Sequence, residues 1–184
     1  WRFDSSQPHA SGSGLPHGRA GSVCHGSGPA SGKERIKVAI KRMDNVLIVV
    51  EAMAAVKDFF IELGMEFDGE TTVEGPWVDQ TVGLEGVRAD ITMLRTPDGG
   101  CRVELSRFHN PPAVRAEPED APSNALGIRR IMFAVDDIDE VVERLVSRHE
   151  AKLVGQIVRY GDSYRLCFLR GPEGIVVGIA EELG

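Results

Sequence analysis

No stretch of this 184-residue chain is long and apolar enough to span a bilayer; its longest hydrophobic runs are of strand size, and no membrane partner is expected. Basic charge is scarce as well, with 21 Lys and Arg against 28 Asp and Glu. Residues 1–42 hold seven of the basic residues and two of the acidic ones, so the remainder carries 14 basic and 26 acidic groups. A body this negative repels phosphate backbones and anionic lipid, which excludes nucleic acid as a partner. The three cysteines, Cys24, Cys101 and Cys167, lack the paired spacing of a zinc site or a redox dithiol. Cys101 and Cys167 fall inside apolar strand patterns, where a thiol serves as a small hydrophobe. Nothing argues for secretion, and the expected location is cytoplasmic. There is no nucleophile with a nearby base and no phosphate-cradling glycine loop; Gly83-Leu84-Glu85-Gly86 reads as a turn.

The first 42 residues are rich in Gly, Ser, Pro and His, show no hydrophobic periodicity and lack the apolar core of a secretory signal. They read as a flexible or tag-like extension, with Met43 a natural start for the patterned body of the chain. His9, His17 and His25 match no ligand spacing and read as solvated tail histidines.

What is present is a segment written twice. NVLIVVEAMAAVKDFFIELG from Asn45 and RIMFAVDDIDEVVERLVSRH from Arg130 align at a constant offset of 85 residues. Each is an apolar strand followed by a helical pattern. Met53, Val56, Phe59, Phe60 and Leu63 share one helical face, and Gly64 stops that helix. Strands are expected at Met65–Val73, Val87–Arg95 and Cys101–Phe108, with a tight turn at Pro97–Gly100. The second copy predicts a strand at Ile128–Val135, a helix at Ile138–His149 capped by Asp137 and Glu140, and strands at Lys152–Val158, Tyr164–Arg170 and Ile175–Glu181. A hairpin turn falls at Gly171–Gly174. The implied organisation is an extension over 1–42, a βαβββ unit over 43–109, a Pro-rich acidic linker over 110–126 and a second βαβββ unit over 127–184, with a pocket expected where duplicated halves meet.

The phrases NVLIVVEAM, RIMFAVDDID and LRGPEGIVVGIAEEL resemble those of the vicinal oxygen chelate superfamily, which groups glyoxalase I, methylmalonyl-CoA epimerase, extradiol dioxygenases and the bleomycin and fosfomycin resistance proteins. The resemblance covers nearly all of residues 45–182. It implies an α+β fold of two tandem βαβββ modules whose curved mixed sheets enclose a concave cavity, often in a homodimer. In metal-dependent members the ligands are His or Glu from the first and last strands of each module. Carried over, those positions are Asn45, Glu104, Arg130 and Gly178. Only Glu104 is a good ligand; Gly178 has no side chain, and Arg130 puts a permanent positive charge where a divalent ion would sit. No metal and no other cofactor is therefore expected.

Arg130 could take over the electrostatic role of the ion and pair with Glu104 in one cavity, either as a ligand anchor or as a structural strut. Trp77 could wall a pocket or cover a sheet, His109 could act as a base or simply end a strand, and Tyr164 could stack on a ligand or pack in the core. Asn45, Trp77, Glu104, Arg130, Tyr164 and His109 are thus the candidate ligand-binding residues, with Glu104 the catalytic candidate if the protein is an enzyme. The first functional expectation is a metal-free protein that sequesters a small molecule, for which the acidic body suits a cationic antibiotic-like compound. The alternative is a glyoxalase-, epimerase- or dioxygenase-type enzyme using Glu104 as base or metal ligand.

Overall fold

A computed structural model describes residues 43–115, 118 and 120–183. The expectations placed on residues 1–42, including the tail histidines and Cys24, lie outside the described residues. The first half runs β1 (Asn45–Val49), α1 (Met53–Leu63), β2 (Glu66–Glu74), α2 (Pro76–Val82), β3 (Arg88–Arg95) and β4 (Arg102–Asn110). The second runs β5 (Ile131–Val135), α3 (Ile138–His149), β6 (Lys152–Leu153), β7 (Val158–Tyr160), β8 (Tyr164–Arg170), a 3₁₀ turn at Pro172–Gly174 and β9 (Val176–Glu182). Each half forms its own mixed sheet, ordered β1-β4-β3-β2 and β5-β9-β8-β6, with β7 also paired to β8. In both sheets the first strand runs parallel to the last, and the other pairings are antiparallel.

The helices form where apolar spacing and end signals coincide. Val56, Phe59, Phe60 and Leu63 make the buried stripe of α1, which ends at Gly64 with φ 117°, a left-handed conformation that glycine adopts freely. On α3 the stripe is Ile138, Val141, Val142 and Leu145. Asp137 caps α3 by accepting from the Glu140 amide at 3.0 Å, while the Glu140 carboxylate turns to Arg144 instead of completing a capping box.

The two halves meet through their helical layers. Phe60 of α1 reaches Phe133 of β5 with ring centroids 6.3 Å apart, Phe59 meets His149 edge-on at 5.9 Å, and Glu62 takes both Arg144 and Arg148. One continuous core results, with Phe59, Phe60, Leu94, Leu105, Ile138, Leu145, Leu169 and Ile179 fully buried. Cys167 lies within it, and burial pushes its thiol up to about 11, so it stays protonated and inert at neutral pH.

The final hairpin locks onto α1. Ala52 at the start of α1 offers no side-chain cap, but the Glu173 carboxylate from the other half holds the chain that leads into the helix, accepting from the Glu51 amide at 3.0 and 3.1 Å and the Ala52 amide at 2.6 Å. Gly171 lies so close to Phe59 that an added Cβ would stand 2.7 Å from the ring.

Three elements differ from the sequence reading. Residues 76–82, read as part of a loop, form the short helix α2, entered through Pro76 and left through Gly83 with φ 75°. The expected strand Lys152–Val158 is broken into β6 and β7 around Gly155, and the strand expected from Ile128 begins at Ile131. In the first two cases the elements are too short to show a period, seven residues for α2 and two and three for β6 and β7.

Candidate functional site

Strand alternation divides each sheet into a face toward the helices and an inner face. In the first half Ile48, Val50, Leu94, Val103 and Leu105 face the helical core, which leaves Asn45, Leu47 and Val49 on the inner face beside Arg102, Glu104 and Ser106 of β4. There the Asn45 amide nitrogen donates to the Glu104 carboxylate at 2.5 Å. Leu47 and Val49 next to this pair remain 50% and 46% exposed. The arrangement offers one carboxylate, held by a neutral donor, beside two exposed apolar side chains.

The second half presents a different surface. Met132 and Gly178 are register partners, and a Cβ on Gly178 would stand 1.9 Å from the Met132 sulfur and 3.2 Å from the Phe168 ring. Gly178 is therefore the space that Met132 occupies. The Arg130 guanidinium lies over the Phe168 ring at 4.2 Å, a cation–π contact. The charge pair envisaged between Arg130 and Glu104 is not formed; each belongs to the inner face of a separate sheet, and the sheets join through their helical sides.

The remaining candidates are scattered. His109 places Nε2 2.7 Å from Asp90, whose other oxygen accepts from the Thr72 hydroxyl at 2.8 Å. Thr72 first, and then His109, hold the Asp90 carboxyl below its usual range. Asp90 shares the sheet face of Thr92 and Leu94, opposite that of Glu104, so His109 is not beside Glu104. Trp77 is 63% exposed in the first turn of α2. Tyr164 is half-buried at the start of β8, on the same strand face as Leu166 and Phe168.

A separate cleft of about 740 Å³ opens between the halves. One bank is the end of α1 with the β3–β4 turn, including Leu63, Met65, Asp98 and Cys101; the other is β5 with the start of α3, including Met132, Ala134, Asp136, Glu140 and Arg144. None of Asn45, Trp77, Glu104, Arg130, His109 and Tyr164 lines it. The duplication foretold a pocket at the seam, but its lining residues carry no motif.

A family model for the Glyoxalase/Bleomycin resistance protein/Dioxygenase superfamily matches residues 42–179, the span that holds both βαβββ units. The chain belongs to that superfamily. A glyoxalase family protein of known structure from Bacillus cereus is 50% identical, with a TM-score of 0.77, over 81% of this chain and 99% of that one. The Escherichia coli protein YaeR is 26% identical over 79% of this chain and 99% of its own length. A glyoxalase/dioxygenase from Nostoc punctiforme, 17% identical over 88% of this chain and 99% of that one, shares the fold with a TM-score of 0.54.

The superfamily implies a metal ion in many members, and the four corresponding positions do not fit one. Asn45 turns its amide nitrogen to Glu104, Arg130 brings a cation, and Gly178 is filled by Met132. Among the described residues no three His, Cys, Asp or Glu side chains cluster as a metal would require.

Proposed function

We propose that this protein is a metal-free small-molecule-binding member of the glyoxalase/bleomycin-resistance type that sequesters an organic ligand against its inner sheet faces. The observation that carries this reading is the second inner face, where Met132 fills the space over Gly178 and Arg130 stacks on Phe168. That surface is built of apolar, aromatic and cationic groups, the materials of a ligand wall. Glu104 with Asn45 supplies the polar anchor on the first inner face, and a cationic antibiotic-like compound would satisfy its carboxylate. Tyr164 shares its strand face with Phe168 and would extend that wall. Arg130→Ala tests the wall. Its guanidinium is exposed and stacked, so stability should fall by less than about 1 kcal/mol in chemical denaturation, while affinity for hits from a thermal-shift screen of antibiotics drops severalfold. A loss of several kcal/mol with every ligand unaffected would make Arg130 a strut.

One observation favours an enzyme as the second reading: Glu104 is half-buried, and its hydrogen-bond partner among the described residues is the neutral Asn45 amide, as would suit a general base. Turnover of a thiohemiacetal or thioester substrate that Glu104→Gln abolishes would establish it.

We further propose a homodimer in the cytoplasm. Within one chain the halves meet through their helices and leave Leu47 and Val49 uncovered, so a second copy is the natural cover for the first inner face. Analytical ultracentrifugation at micromolar concentration should show a dimer that Leu47→Glu dissociates; a monomer at all concentrations would refute it.

A further inference from the structure

The duplication makes an internal comparison possible. The hairpin turn at Pro172–Gly174 of the second half docks on the start of α1: Glu173 accepts from the Glu51 and Ala52 amides that lead into the helix, and Gly171 packs on Phe59. The corresponding turn of the other half, with Pro97, Asp98 and Gly99 in place of Pro172, Glu173 and Gly174, should by the same logic dock on the start of α3. It does not. Asp98 turns back to its own turn, accepting from the Thr96 hydroxyl at 2.6 Å and the Gly100 amide at 2.9 Å. The start of α3 is instead capped from within by Asp137, which stands 85 residues after Ala52 and accepts from the Glu140 amide. Where the second half has a closed contact, the first half has the cleft of about 740 Å³.

Two properties of this cleft define its occupant. Its floor is apolar, from Leu63, Met65, Met132 and Val141. Its banks carry like charge, Asp98 on one side and Asp136, Asp137 and Glu140 on the other, with Arg144 the single cation among the lining residues and already engaged by Glu62 and Glu140. Among the described residues Asp136 makes no hydrogen bond or ion pair. Like charges on facing banks oppose closure, and a cation between them removes that opposition. A volume of this size suits a small organic ligand rather than a bare ion.

We infer that the cleft between the β3–β4 turn and α3 is a second ligand site, which borders the second inner face at Met132 but lies apart from Glu104 and Arg130, and which takes an amphiphilic organic cation: an ammonium or amidinium head between Asp98 and Asp136 with an apolar body over Met65, Met132 and Val141. The assignment does not depend on what binds at Glu104.

Isothermal titration of the full chain with n-alkylammonium ions from butyl to decyl, beside n-alkyl carboxylates of matched length, tests it. Ammonium affinity should rise about threefold per added methylene until the cleft is filled, and carboxylates should bind at least about tenfold more weakly. Asp136→Asn should weaken ammonium binding about threefold and flatten its salt dependence. Ala134→Trp, which puts an indole into the mouth from an exposed strand position, should abolish binding. Equal binding of both head groups, or no binding by any member of the series, overturns the inference on the unmutated protein alone. Undiminished binding to a folded Ala134→Trp variant overturns it as well. Binding lost in Glu104→Gln but kept in Ala134→Trp would place the cation on the first inner face, which refutes the cleft and leaves the proposed function standing.

Discussion

Phe60→Ala should cost about 3–5 kcal/mol, the largest single-residue effect expected in this protein. Phe60 is fully buried, meets Phe59 edge-on at 5.5 Å, and reaches Phe133 on the opposite half. Truncating it opens a cavity at the seam where the two halves share their core, with rigid sheet on either side and little freedom to collapse. Urea unfolding should show a lower midpoint with an unchanged slope, and Phe60→Leu should lose less than half as much. A loss below about 1 kcal/mol would mean that the seam contributes little and that the halves are stable separately.

Glu173→Ala should come next, at about 1–2 kcal/mol, unusually large for an exposed side chain. The carboxylate accepts from the two amides just before α1, those of Glu51 and Ala52, and its negative charge lies near the positive end of the helix dipole. Its backbone has φ 54°, so Glu173→Gly, which removes the carboxylate and relieves the strained conformation together, should lose somewhat less than the alanine variant. The duplication supplies the rescue. Ala52→Asp gives α1 the residue that α3 already has at Asp137, and in the Glu173→Ala background it should recover about half of the lost stability. If thermal melts of Glu173→Ala match the unmutated protein, the cross-half cap has no energetic weight.

Much of the fold could be read from the chain because its signals are local. The stripe of α1, the Gly64 stop and the Asp137 cap each occupy a few residues, and α1 and α3 have the bounds their spacing implies. The 85-residue repeat extended that reading to topology, since two copies of one grammar give two sheets of one order. Elements of one or two turns were not legible: α2 is seven residues long, though Pro76 and Gly83 marked its ends. The candidate positions could be named from the strand pattern, but not the contacts they make. Asn45 holds Glu104 because β1 and β4 are neighbours, where the sequence had suggested Arg130 as the partner of Glu104. That Arg130 would choose Phe168 over Glu104 depends on which sides of the two halves pack together, and a repeat is silent on that. The same limit hid the cleft. Its existence comes from Asp98 and Asp137 departing from the contact that Glu173 makes, a difference visible only once the halves can be compared in space.

The most direct test of the central claim is the metal content of tag-free protein after equilibration with zinc, nickel, manganese and ferrous ions and removal of the excess. Well under one ion per chain is expected for each metal, with no change in melting temperature on adding them and the same result for Glu104→Gln, because Met132 fills the place of one ligand and Arg130 repels the ion from another. One tightly held ion per chain that Glu104→Gln removes would contradict it.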